Sequence, residues 1–444
     1  MAADPGGMFR PSTRHIAATA LSIAAAGAAA PSQADAGAAR SADGFVDSIG
    51  VNVHLASSDT PYGRRDVVQS KLRRLGVRYV RDHLFPNRPD MYQAFRSLAS
   101  CGIKANLIVG DPLQRWTIGP LSSQLGLIKK ENLGDAVASL EAPNEYDIQG
   151  DKTWAPTLRD YQRRFYSEVK SDPDLRRYPV LGPSLVDVRS YGELGDLSGS
   201  LDYGNIHPYP GGERPDGRGS DLDQLRGFAT SNSRSKPVQV TETGYHNGLR
   251  SASTHLPATE RAAATYMPRL FLDYYRQGVS RTYSYELIDE RPDPRRVDSE
   301  ANFGLLRHDY SEKPAYTAIR RTVDLLSDPG PRFKTARLRY SVSGSKSGVK
   351  RILLQKRDGT FYLALWRETS VWNPGARTAV RASSGAVRIS LGRRARRIKV
   401  YRPSRSGRAV KTASYARSVR LKAGADVTII KISPGGRASR RTGR

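Results

Sequence analysis

Leu140-Glu141-Ala142-Pro143-Asn144-Glu145-Tyr146 is a short apolar run that ends on carboxylates, and its reading decides the fold. Val238-Gln239-Val240-Thr241-Glu242-Thr243-Gly244-Tyr245 repeats the arrangement later in the chain. In both, residues that favour a pleated strand lead directly into a glutamate. A pair of carboxyls at the C-terminal ends of two parallel strands is an arrangement that can oppose them across one cleft.

Around these two runs, short apolar stretches alternate with amphipathic ones. Residues 45–55, 77–83, 103–109, 138–145, 180–185, 203–207, 238–242 and 282–287 read as eight strands. Between them, Val67, Val68, Leu72 and Leu75 recur at helical spacing and stop at Gly76, a helix-ending residue. Tyr92, Phe95 and Leu98 mark a second helix, residues 128–136 fall in a third, and Leu158, Tyr161, Phe165 and Val169 line one face of a fourth. The last begins near Pro314 and carries Ile319, Val323 and Leu326. Eight such units close most economically into a (β/α)8 TIM barrel, and residues 45–328 fit the ~250 residues typical of it. An open doubly wound sheet would place a glycine-rich phosphate loop after strand one, where Val51-Asn52-Val53-His54-Leu55 stands instead.

Past Ser327-Asp-Pro-Gly-Pro331 the period changes to two, with turn residues such as Asp358-Gly359 between short runs, as in a small all-β sandwich. Four parts follow: a signal peptide and leader at 1–40, the barrel at 41–328, a basic β-sandwich at 329–433 and a disordered basic tail at 434–444. In the leader, Arg10, Arg14 and His15 precede an alanine-rich apolar stretch, and Ala34-Asp35-Ala36 offers a cleavage motif. Secretion or attachment to the cell envelope is expected. No other run is long and apolar enough for a transmembrane segment.

The formal charge of +28 is unevenly placed. Residues 331–444 hold 30 Lys/Arg against 3 Asp/Glu, and the preceding part is nearly neutral. The charge therefore argues for an anionic polymer at the C-terminal part, with Arg393-Arg394-Ala395-Arg396-Arg397-Ile398-Lys399 as its densest run, and not for a nucleic-acid-binding barrel. Cys101 is the single cysteine, so no intramolecular disulfide forms, and it reads as packing.

Active sites of such barrels lie at the C-terminal strand ends. There the sequence gathers His54, Arg81, Asn144, Glu145, His207, Tyr209, Glu242, Tyr245, Tyr285 and Glu286. Cleaving a glycosidic bond takes one protonated and one ionised carboxyl, and Glu145 and Glu242 can supply both. Strands four and seven face each other across a closed barrel, which suits the ~5–5.5 Å carboxyl separation of a retaining enzyme. Glu141 shares strand parity with Glu145 and is expected to be a buried partner of an arginine. Trp116 and Trp154 sit in loops where a ring can stack on sugar or pack, His54 is expected to line the pocket, and Asp289-Glu290 to accept sugar hydroxyls. The histidines have no metal-ligand spacing to cysteine or carboxylate, so neither a catalytic metal nor another cofactor is expected.

Asn144-Glu145, His207-Pro-Tyr209, Thr241-Glu242 and Arg81 in Gly76-Val-Arg-Tyr-Val-Arg81 resemble the clan A retaining glycoside hydrolases, families 5 and 39 in particular. Ala301-Asn-Phe-Gly-Leu305 and Lys313-Pro-Ala-Tyr316 are similar to the end of such barrels. The resemblance implies Glu145 as general acid/base, Glu242 as nucleophile and Asn144 on the sugar 2-hydroxyl. It implies further that Arg81 keeps Glu242 ionised, His207 and Tyr209 position the carboxyls or the carbohydrate substrate, and Tyr245 lines the donor site. Where the clan often has a tryptophan on strand eight, this chain has Tyr283-Ser284-Tyr285-Glu286. The competing reading is a wall-associated protein that binds carbohydrate or polyanion without turnover.

Overall fold

The computed structural model describes residues 35–113, 119–215 and 222–435. Most of the expected leader, Trp116 and nearly all of the expected tail lie outside them.

Eight short parallel strands, Ile49–Asn52, Tyr79–His83, Lys104–Ile108, Val137–Glu141, Val180–Leu181, Gly204–Ile206, Val238–Thr243 and Thr282–Ser284, pair in the circular order five-four-three-two-one-eight-seven-six. A parallel bridge between Leu181 and Tyr203, with Gly182 N–H donating to the Tyr203 carbonyl at 2.9 Å, joins strand five to strand six and closes the barrel. Each strand is followed by a helix, from Arg65–Leu75 after strand one to Pro314–Leu326 after strand eight. Helix Arg65–Leu75 stops where sequence places its end, because Gly76 takes the left-handed conformation (φ 81°) that its capping hydrogen bonds require. A Cβ there would also meet Val323 at 2.8 Å.

Several expected boundaries move. Phe45 is not in strand one but in a short helix, Ala42–Asp47, whose N-terminus is capped by the Ser41 hydroxyl. The third helix is Leu121–Lys130, shifted toward the N-terminus, and residues 134–136 form a separate 3-10 turn. Strand four ends at Glu141, so Glu145 stands four residues beyond it.

The C-terminal part is β throughout, with a topology that short sequence runs conceal. Gly385–Arg402 and Ser406–Ala423 are single 18-residue strands forming one long hairpin. The first half of Gly385–Arg402 pairs with Arg337–Gly344 and its second half with Thr428–Pro434, the ladder shifting register between Ser390 and Ala395. One continuous sheet thereby folds over itself, and Leu353, Leu363, Leu365, Val387, Ile389, Ile398 and Ile430 fill the space between. Two strands before the barrel complete it. Asp35–Ala38 pairs with Arg337–Gly344 and Arg40–Ser41 with Val349–Gln355, so the expected leader boundary at residue 40 is corrected: residues 35–41 belong to this sheet. They carry no alternating pattern because they are so short.

Strand Phe361–Arg367 is buried at every position, for a two-sided reason. Phe361, Leu363 and Leu365 face the sandwich core, whereas Tyr362, Ala364 and Trp366 join the core cluster of the barrel. Helix Glu260–Gln277, after strand seven, lies against this sheet and is buried on nearly every side from Ala262 to Tyr274. Its buried Arg269 donates to the Thr369 carbonyl at 2.9 Å, Asp273 pairs with Lys350 at 3.2 Å, and the Tyr266 hydroxyl accepts Val371 N–H at 2.8 Å. Trp366→Ala is accordingly expected to destabilise the protein by about 3–5 kcal/mol. Calorimetry checks it: one lowered transition for barrel and sheet together is the expected trace, and two separated transitions would contradict the shared core.

Candidate active site

The barrel interior beneath the mouth is polar. Asn52, Arg81, Asn106, Glu141, Asn205 and Thr241 come from strands one, two, three, four, six and seven and are all buried. Arg81 is the hub, and its five N–H donors are all used. Nε and one Nη bond Glu141 at 2.8 and 2.6 Å, the same Nη reaches Asn144 Oδ1 at 2.7 Å, and the other Nη reaches Asn52 Oδ1 at 3.0 Å and Glu242 Oε1 at 2.6 Å. Glu141 is thus the arginine's buried partner, held further by Asn106 and, at 2.9 Å, by Asn205.

Glu242 ends in the mouth with both oxygens engaged, Oε1 by Arg81 and Oε2 by the Tyr209 hydroxyl at 2.7 Å. Burial alone would raise its carboxyl, but the charges of His207 and Arg81 and these hydrogen bonds outweigh it and bring it down to about 2. Glu242 is therefore an anion at any ordinary pH.

Glu145 faces it from the loop after strand four. Its backbone is left-handed (φ 47°), an uncommon state for a side chain of this size. The turn is held by Glu145 N–H donating to Ser184 Oγ at 3.2 Å and Ile148 N–H donating to the Glu145 carbonyl at 3.3 Å. The Glu145 side chain is 22% exposed against 11% for Glu242, so Glu145 is the carboxyl more open to solvent. One oxygen of each lies within 4.8 Å of the other and of a His207 nitrogen.

His207 connects them, and its tautomer follows from its neighbours. Asn205 turns its NH2 toward Glu141 and the Gly182 carbonyl, leaving its oxygen to accept from Thr241 Oγ1 at 2.7 Å. Glu141 is the other acceptor near that hydroxyl, at 3.2 Å. With its proton so committed, Thr241 Oγ1 must accept from His207 Nε2–H at 2.9 Å. Nδ1 then meets Glu145 Oε1 at 2.7 Å, where a bare lone pair would repel a carboxylate. One proton is held between His207 and Glu145. Asn144 is fixed in the same way: its oxygen accepts from Arg81 and, at 3.2 Å, from Ser184, so its NH2 remains as the donor.

The walls bring in further residues. His54, Tyr285, Phe303, Tyr209 and His255 form a chain of edge-on rings with centroids 5.1–5.8 Å apart. Behind His54, Glu286 is buried and accepts from the Tyr62 hydroxyl at 3.1 Å. Burial, then the nearby acids Glu290, Asp289 and Glu300, push its carboxyl well above the usual range. Burial also lowers His54 to about 4, leaving it uncharged.

The structure does not bring Tyr245 to the mouth. The strand ends at Thr243, and Tyr245 turns outward to pack on Tyr266 of helix Glu260–Gln277 with ring centroids 5.5 Å apart. Asp289 is likewise a core group, paired with the buried Lys313 at 2.9 Å. Trp154 is half-buried against the barrel core. Sequence reasoning missed Tyr62, His255, Phe303 and the interior asparagines. Of these, Asn106 and Asn205 carried a signal, as asparagine is rare in the middle of a strand.

Among the described residues, two triads have ligand atoms close enough for a cation, Glu145-His207-Glu242 and His54-Glu286-Glu290. At the first, the Arg81 guanidinium already occupies Glu242 and repels a second cation. At the second, burial disfavours the ionised form of Glu286 that a cation needs.

No protein-family model and no curated protein matches the sequence. Solved structures do match. A family 39 glycoside hydrolase from Bacteroides cellulosilyticus WH2 superposes with a TM-score of 0.60 at 18% identity, over 89% of this chain and 81% of that one. A family 39 enzyme from Xanthomonas axonopodis pv. citri gives 0.59 at 14%, over 90% and 96%. A family 39 beta-xylosidase from Caulobacter crescentus gives 0.57 at 16%, over 89% and 98%. The fold, a (β/α)8 barrel with an attached β domain, is the one these solved structures share.

Proposed function

We propose that this chain is an exported retaining glycoside hydrolase acting on a poly- or oligosaccharide. The observation that carries the reading is the opposed pair Glu145 and Glu242, oxygens within 4.8 Å across the mouth, one ionised and the other beside a held proton. Glu242 attacks the anomeric carbon as the glycosidic C–O bond breaks, and the leaving oxygen takes the proton from Glu145. Water then gives a proton to Glu145 and attacks the same carbon, releasing Glu242. The Asn144 NH2 meets the sugar 2-hydroxyl, and Tyr209 and Arg81 keep Glu242 aimed. His207 keeps the proton at Glu145, and His54 and Tyr285 form one wall of the donor site. The basic, then apolar, N-terminal sequence supports export.

The test is a panel of aryl glycosides and polysaccharides, with proton NMR of the first product formed. Retained anomeric configuration is expected, and an inverted first product would sink the reading. Asn144→Ala is expected to lower kcat/KM by about 10²-fold, since bonds to the 2-hydroxyl supply several kcal/mol in the transition state. A 2-deoxy glycoside should lose a similar factor with the parent enzyme and little more with the variant. Equal losses in both would remove Asn144 from that contact.

A further inference from the structure

Away from the mouth, between the start of helix Glu260–Gln277 and the folded sheet, lies a cavity of about 800 Å³. That is within the ~300–1,000 Å³ of ligand clefts. Four cations line it, Arg261, Arg402, Arg405 and Lys422, against one carboxylate, Asp426. Asp426 is already committed: it accepts from Arg405 Nε at 2.6 Å, Ser404 at 2.8 Å and Thr265 at 3.3 Å. Arg402 is steadied by donating to the Lys422 carbonyl at 3.1 Å, a neutral partner that leaves its charge unbalanced. Arg402, Arg261 and Lys422 form no ion pair among the described residues.

The lining also defines what would fit. It holds hydroxyls, Ser383, Ser384 and Thr428 among them, and small residues that leave room, but no aromatic ring. Neutral sugars and unpaired bases are commonly held on aromatic faces, which this cavity lacks. A ligand carrying both negative groups and many hydroxyls matches the cations and hydroxyls at once. On the two strands that carry Arg402 and Lys422, Arg388 also stands directly opposite Arg420, a like-charge pair that an anion would relieve.

We infer that this cavity is an anion-binding subsite for an acidic segment of a polysaccharide, separate from the catalytic mouth. The choice of a glycan rests on the glycosidase reading, whereas the presence of an anion site does not. It would hold the enzyme on an acidic polymer while the barrel works elsewhere along it.

The experiment titrates the full chain, carrying Glu242→Gln so that nothing is turned over, with an oligogalacturonate, a neutral oligosaccharide of equal length, inorganic polyphosphate and single-stranded DNA. Oligogalacturonate is expected to bind, at least ~10-fold more weakly at high salt because the cations are solvent-screened. Arg261→Ala with Lys422→Ala should weaken it at least tenfold. Lys422→Gln alone should weaken it less, and both sets should leave aryl-glycoside turnover by the otherwise unaltered enzyme unchanged. Binding of polyphosphate with the same variant sensitivity would support the site and widen its anion from carboxylate to phosphate. Neutral sugar binding equally well, affinity unmoved by the substitutions, or DNA binding more tightly than either anion and lost in the same variants would each overturn the proposal. Since the binding titrations do not depend on turnover, a failed glycosidase assay and a failed anion site are distinguishable.

Discussion

Glu242→Gln is expected to lower kcat by roughly 10⁴–10⁶-fold, the range seen when a nucleophile is removed from a site whose other parts persist. Glutamine keeps the shape, its oxygen can still accept from Arg81 and its NH2 can donate to the Tyr209 hydroxyl, so the loss reports chemistry and not collapse. A 2-fluoro glycoside should label the parent enzyme on the peptide containing Glu242 and leave the variant unlabelled, as read by mass spectrometry. Glu145→Ala should behave differently. It loses about 10²–10⁴-fold with poor leaving groups, the usual contribution of general acid–base catalysis, and much less with activated aryl glycosides. Azide should restore its turnover and give a glycosyl azide of retained configuration. If instead Glu145→Ala were labelled elsewhere or Glu242→Gln were rescued in that way, the two roles would have to be exchanged.

The second large effect is on stability. Arg81→Met leaves Glu141 and Glu242 buried without their counter-charge, and breaking a buried pair costs about 3–5 kcal/mol. Two carboxylates and two amide oxygens lose a donor here, so the upper end is expected. The pH dependence gives a second readout. Glu242 falls from an ordinary 4.5 to about 2 in the folded chain, so its contribution is fully present above 4.5 and is lost as pH falls toward 2. In Arg81→Met that part of the acid destabilisation should flatten, visible in melting temperatures measured between pH 5 and 2. An unaltered acid profile would show that Arg81 does not set the state of Glu242.

The strands and the two opposed glutamates were legible because each strand is a contiguous apolar run ending in a polar residue, a local signal. Parity then misleads wherever a strand stops early. Glu145 reaches the mouth through a left-handed turn and not by strand alternation, and Tyr245, past the end of strand seven, rotates into the core. Phe45 reads as strand from its apolar neighbours, although Ser41 and Asp43 form a helix start in the sequence. The proton held at Glu145 depends on residues from strands four, six and seven together, and no local window contains them. The two N-terminal strands are hidden for a similar reason, since their only partners lie at the far end of the chain.

That last pairing also sets a schedule. Asp35–Ala38 and Arg40–Ser41 are made before the barrel, yet the strands they join, Arg337–Gly344 and Val349–Gln355, are made only after it. Tyr362, Ala364 and Trp366, which seal the barrel's flank, arrive later still. During synthesis the barrel therefore waits with an apolar flank uncovered and its first strands unpaired, a state prone to association with other chains. Thr428–Pro434 fills the gap between Phe361–Arg367 and Gly385–Arg402, so the sheet stays split in two until that strand is in place.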